Sequence, residues 1–101
     1  MFGSIRLIDL GPRDGVVQGE CGPYRWEARL TRGPVSYGLD PATLYKGQGR
    51  VARLILYEAI TGTGLQRKVA AYNRGWQYGR KEYLGVVKRV VTYLEARSQG
   101  I

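Results

Sequence analysis

Tyr24-Arg25-Trp26-Glu27-Ala28-Arg29-Leu30-Thr31 is the stretch whose pattern decides the fold. Tyr24, Trp26, Ala28 and Leu30 alternate with Arg25, Glu27, Arg29 and Thr31, and an extended chain sorts a period of two onto opposite faces. The first set belongs on a core and the second in water. On the wet face, Arg25, Glu27 and Arg29 carry the signs needed to pair across strands.

Working toward the N-terminus, Cys21-Gly22-Pro23 breaks the chain, and Val16 to Glu20 is a short strand before it. Ile5 to Leu10 is rich in branched residues and ends at Gly11-Pro12-Arg13-Asp14-Gly15, where Pro and Asp-Gly favour a tight reversal. Toward the C-terminus, Arg32-Gly33-Pro34 reads as another turn, and Val35 to Leu39 as a weaker strand. Asp40-Pro41-Ala42-Thr43 and Lys46-Gly47-Gln48-Gly49 read as an irregular connection. Arg50 to Glu58 is a long apolar run, predicted as a strand near the middle of the sheet, although its pattern alone also admits a helix. Thr61-Gly62-Thr63-Gly64 is a loop, Leu65 to Tyr72 the partner strand, and Asn73-Arg74-Gly75 a turn into Trp76-Gln77-Tyr78.

The last segment changes period. Tyr83, Leu84, Val87, Val90, Val91 and Leu94 recur at spacings of three and four, which predicts a helix over about residues 81–97. Its β-branched residues and Gly85 are poor helix formers, so packing must stabilise it. The expected fold is α+β: a single two-layer domain over residues 1–101, with an antiparallel sheet of five or six strands over about residues 4–78. One C-terminal helix packs on one face of that sheet. The 101 residues suffice for one core, and a hydrophobic fraction of 44% is that of a folded chain.

Composition removes several kinds of chemistry. There is no histidine, and Cys21 is the sole cysteine, read as a small buried or turn residue. A disulfide within the chain and a thiolate cluster are thereby excluded. Gly47-Gln48-Gly49-Arg50-Val51-Ala52 matches a dinucleotide fingerprint in letters, but that mechanism needs a helix after the glycines and a strand is predicted there. Asp40, Glu58 and Lys68 could be assembled into a metal-dependent nuclease centre, yet no paired-acid spacing favours it. Ser4, Ser36 and Ser98 have neither a nucleophile elbow nor a histidine. The expectation is a protein that is not an enzyme and uses no cofactor and no metal. No apolar segment is long enough to span a bilayer and the N-terminal residues do not read as a secretory signal, so a cytoplasmic location and no membrane partner are expected.

Charge is the most informative property. Residues 1–45 hold five bases and five acids, whereas residues 46–101 hold eleven bases against Glu58, Glu82 and Glu95, which accounts for the whole net charge of +8. An anionic partner is one explanation, with nucleic acid the usual case. Twelve of the sixteen bases are Arg, and a compositional bias or solubility alone is the competing one. Arg67, Lys68, Arg74, Arg80, Lys81, Lys88 and Arg89 crowd one segment that also holds Trp76 and Tyr78. Cations neutralise phosphates and aromatic faces stack on unpaired bases. Trp76 and Tyr78, two apart on an extended segment, are expected on one side, with a core anchor under the helix as the competing role for Trp76.

A further pattern runs through the chain. Gly15-Val16-Val17-Gln18-Gly19, Tyr24-Arg25-Trp26-Glu27-Ala28-Arg29 and Ser36-Tyr37-Gly38-Leu39-Asp40 are followed by Gly49-Arg50-Val51-Ala52-Arg53-Leu54 and Val69-Ala70-Ala71-Tyr72-Asn73-Arg74-Gly75-Trp76. Over residues 15–76 the chain resembles an uncharacterised family of small proteins from bacterial genomes and their mobile elements. It departs from that family in additional residues around Pro41 to Lys46 and in Asn73, where the family has Asp. The resemblance agrees with the fold reading, implies no activity, and tilts toward an accessory role in a phage or plasmid. The leading expectation is a DNA- or RNA-binding domain. The alternative is a protein-interaction module, an accessory factor or inhibitor with a protein partner, or a homodimer formed through an exposed strand edge.

Overall fold

The computed structural model describes residues 5–9 and 15–98. Six strands follow one another in space as in sequence, each antiparallel to the next: β1 (Ile5–Asp9), β2 (Val16–Cys21), β3 (Tyr24–Leu39), β4 (Lys46–Ala59), β5 (Gln66–Asn73) and β6 (Trp76–Gly79). A 3-10 turn at Lys81–Tyr83 leads into one helix, α1 (Leu84–Ser98). The α+β sheet-and-helix fold is as the sequence predicts. The reversal expected at Gly11 to Asp14 lies outside the described residues.

Register explains the core. Residues paired across antiparallel strands share a face, so one row runs Gly19, Trp26, Leu56, Ala70, Gly79 and the next Val17, Ala28, Leu54, Tyr72, Trp76. On this face lie Tyr83, Val86, Val87, Val90, Val91 and Leu94, all buried, as the 3.6-residue period requires. Four of these are valines, which isolated helices disfavour, so the helix depends on the sheet beneath it.

Arg32-Gly33-Pro34 does not reverse the chain, contrary to the turn expected there. Leu30 pairs with Val51 and Val35 with Gly49, so Thr31 to Pro34 stand opposite Arg50 alone, as a bulge within one long strand. Pro has no amide to give to a ladder, and a bulge accommodates it as well as a turn does. The bulge shifts the β3–β4 register at Arg50. The Arg50 N–H donates to Glu95 Oε2 of α1 at 2.7 Å, and Thr31 Oγ1 lies 3.2 Å from the Arg50 carbonyl and 2.7 Å from that of Gly33, sharing one proton. A carboxylate in the last turn of a helix opposes the macrodipole, and the hydrogen bond from the Arg50 amide offsets that cost.

Lys46 to Gly49 also differ from expectation, forming the start of β4 rather than an irregular connection. A Cβ on Gly38 would collide with the Gly49 carbonyl oxygen and one on Gly49 with that of Leu39, so the two backbones approach as only glycine permits. The strand through Gly49 leaves no helix start to receive a pyrophosphate, which disposes of the dinucleotide fingerprint. The β3–β4 connection is held by Asp40 Oδ1, which accepts from the amides of Ala42 at 2.8 Å and Thr43 at 3.4 Å. It folds toward β5 and β6: Tyr72 OH donates to the Tyr37 carbonyl at 2.8 Å and Trp76 Nε1 to that of Leu44 at 2.7 Å.

Glu95→Ala is expected to cost about 1–3 kcal/mol by orphaning a partly buried amide, and Glu95→Gln, which keeps an acceptor oxygen, to lose much less. Urea denaturation of the two variants and the parent checks this; equal losses would remove the amide from the explanation.

Candidate nucleic-acid interface

The face of the sheet opposite α1 carries no helix or strand among the described residues. Its three rows follow from the same register: Glu20, Arg25, Tyr57, Lys68; then Gln18, Glu27, Ile55, Ala71, Tyr78; then Val16, Arg29, Arg53, Asn73. Four cations, Arg25, Arg29, Arg53 and Lys68, thus share one surface with two acids and two tyrosines. Tyr57 lies in its row between Arg25 and Lys68. Tyr78, 46% exposed, stands opposite Ala71, whose methyl leaves room above the sheet. Ile55, in the middle row, is only 6% exposed.

Charges on this face are partly matched across strands, with Glu20 opposite Arg25 and Glu27 beside Arg53. Glu27 Oε1 meets Arg53 Nη1 at 3.1 Å, both side chains being partly exposed, which makes the pair worth little. Arg29 sits directly opposite Arg53, and like charges in register repel. The cross-strand pairing expected for the wet face is therefore met for Glu27, while Arg29 faces a second cation.

The nine residues singled out in the sequence fall on different surfaces. Lys68 and Tyr78 are on the open face. Trp76 is on the other, since it pairs with Tyr72 while Tyr78 pairs with Ala71, and adjacent residues of β5 point opposite ways. The shared side expected for Trp76 and Tyr78 is undone by the irregularity between them. Trp76 packs against the core, its ring edge-on to Tyr72 at 5.4 Å between centroids, so its role is that of an anchor. Arg74 occupies the β5–β6 turn at φ 59° with its guanidinium 4.6 Å from the centroid of the Tyr37 ring. Arg80 and Lys81 are exposed at the entry to the helix, with Arg80 3.8 Å from Glu82, and Lys88 and Arg89 are exposed on the helix itself.

Arg67 is adjacent to Lys68 in sequence and opposite to it in use. Glu58 pairs with Arg67 on the helix-bearing side, and Arg67 Nη2 and Nε lie 2.8 and 3.2 Å from Glu58 Oε1. Tyr83 OH is 3.3 Å from both that oxygen and Arg67 Nη2, and Tyr24 packs edge-on to Tyr83. The Arg67 hydrogen bond, reinforced by Tyr83, holds the Glu58 carboxyl below its ordinary range against the opposing effect of burial. Burial, then the charge of Glu58, pushes the Tyr24 phenol up.

Glu58 and Asp40 lie at opposite ends of β4, so the nuclease arrangement has no shared centre. Among the described residues, no group of three or more His, Cys, Asp or Glu is placed to hold a metal ion, and no helix is long and apolar enough to cross a membrane. Arg25, Arg29, Arg53 and Tyr57 were not among the residues singled out. Arg25 and Arg29 were legible in the alternation of the opening stretch, whereas Tyr57 ends an apolar run that hides which of its residues face out.

Compared with known proteins, the chain matches no family model, no curated protein and no solved structure. The functional reading therefore rests on the chemistry of these surfaces.

Arg67→Ala is expected to destabilise the fold at neutral pH and to lose that effect in acid. A carboxyl whose folded pKa is depressed contributes stability above its unfolded value of about 4.3, and that contribution disappears as pH falls through the folded value. Urea midpoints of parent and variant should accordingly differ at about pH 7 and converge near about pH 3; a constant difference would show that the lost interaction is not with ionised Glu58.

Proposed function

We propose that the protein is a non-enzymatic nucleic-acid-binding domain and that the open face of its sheet is the binding surface. The observation that carries this reading is the row Arg25, Tyr57, Lys68, with Arg29 and Arg53 beside it, on a face that nothing in the described chain covers. Phosphate contacts by Lys and Arg release condensed counterions and supply most sequence-independent affinity. Arg29 stands opposite Arg53, which Glu27 already pairs, so an anionic ligand supplies a counter-charge to Arg29. The cations of the helix side, Lys81, Lys88 and Arg89, are exposed on the 3-10 turn and on α1, where the half-buried Tyr93 is packed against Trp26, and Arg67 is already engaged by Glu58. They take the role of a long-range attractive field rather than of direct contacts. A cytosolic location goes with this reading.

The alternative, a protein-interaction module, is favoured by one feature, the open order of the sheet, which leaves β1 and β6 as edges able to accept another strand.

Binding to labelled oligonucleotides, measured by fluorescence anisotropy over a range of salt, tests the leading reading. Changing Arg25, Arg29 and Lys68 together to Ala should weaken binding and reduce the slope of log K against log salt by about 2–3. Arg67→Ala should leave that slope unchanged. An unchanged slope in the triple variant, with its fold intact, would remove this face from the account.

A further inference from the structure

Building on the nucleic-acid reading, we infer that the open face takes single-stranded nucleic acid, laid across β4 to β6 with unpaired bases on Tyr57 and Tyr78. Three observations carry this. First, among the described residues the ring–ring pairs are Tyr24 with Tyr83, Trp26 with Tyr93, and Tyr72 with Trp76, which together anchor the helix-bearing side. Tyr57 and Tyr78 enter none of them and lie on the other side, Tyr78 exposed and Tyr57 half-buried. Aromatic rings left free on a cationic surface are the elements that stack on bases of any identity.

Second, the two rings are spaced for splayed bases. They stand on β4 and β6 with β5 between, and Tyr57 is two residues along β4 from Ile55, which shares a row with Tyr78. Strand spacing and rise put their Cα atoms about 12 Å apart. The step between stacked bases is about 3.4 Å, so a helically stacked strand does not place neighbouring bases on both rings, and bases set apart along an extended strand are needed to reach the two. Lys68, beside Tyr57 on the intervening strand, is placed for the backbone phosphates of such a strand.

Third, the face does not fit a duplex groove. Six strands at about 4.8 Å make a surface about 24 Å wide, while the major groove is about 12 Å wide and admits a helix or a two-stranded ribbon. A duplex would touch this face by its phosphates alone, and Tyr57 and Tyr78 would meet no base.

The test uses the full chain, a labelled oligothymidylate of about 12 nucleotides, an oligouridylate of the same length, and a duplex of the same length. The single strands should bind at least about ten-fold more tightly than the duplex. Tyr57→Leu and Tyr78→Leu, which keep apolar bulk on the sheet but remove the π-face, should each weaken single-strand binding at least about five-fold and leave duplex binding as it is. Tyr57→Phe and Tyr78→Phe should retain single-strand binding, and a matching urea midpoint separates loss of stacking from loss of fold. Equal, salt-sensitive binding of single strand and duplex, unmoved by the Leu variants, would overturn the single-strand inference while leaving nucleic-acid binding in place. No binding of either form at low salt would overturn both.

Discussion

One helix serves a sheet that has two faces, and most of the molecule follows from that inequality. Val86, Val87, Val90, Val91 and Leu94 are all buried, and they are buried against Trp26, Leu54, Leu56 and Tyr72. Apolar burial at about 25 cal/mol per Å² makes this layer the main stabilising term. A helix so rich in valine has little tendency to form by itself, so helix and sheet face each require the other. Once that face is taken, the rows through Arg25, Tyr57 and Lys68 and through Arg29 and Arg53 lie on a side that no helix or strand among the described residues covers.

The bulge in β3 fixes how the helix sits on its face. Four residues opposite Arg50 break the ladder, and Glu95 meets the Arg50 amide. Beyond the bulge in the same hairpin, the Tyr37 and Leu44 carbonyls accept hydrogen bonds from Tyr72 and Trp76. That contact holds β5 and β6 at the end of the sheet, where Lys68 and Tyr78 lie. Structural and candidate binding residues are thereby separated by face rather than by segment. Arg67 and Lys68, neighbours in sequence, belong to different halves of this division.

The sequence was most legible where one local rule governs. The alternation of Tyr24 to Thr31 and the three-and-four spacing of Tyr83 to Leu94 each announced their element, because the period alone determines which side is buried. It was least legible where strand pairing decides. Arg32-Gly33-Pro34 has the composition of a turn, and only the partner strand converts it to a bulge. Trp76 and Tyr78 are separated by an irregularity opposite β5, which no local pattern records. The bases of Arg67 to Arg89 read as one basic segment, yet folding distributes them over both faces, and the open face draws Arg25 and Arg29 from the half whose net charge is zero.

The central claim is that the uncovered side of the sheet, and not the helix, meets the ligand. Amide chemical-shift mapping of the labelled protein during titration with an oligothymidylate tests it most directly. The account predicts the largest shifts at Arg25, Tyr57, Lys68 and Tyr78, with small changes along α1. Largest shifts at Lys81, Lys88 and Arg89 with an undisturbed open face would contradict it.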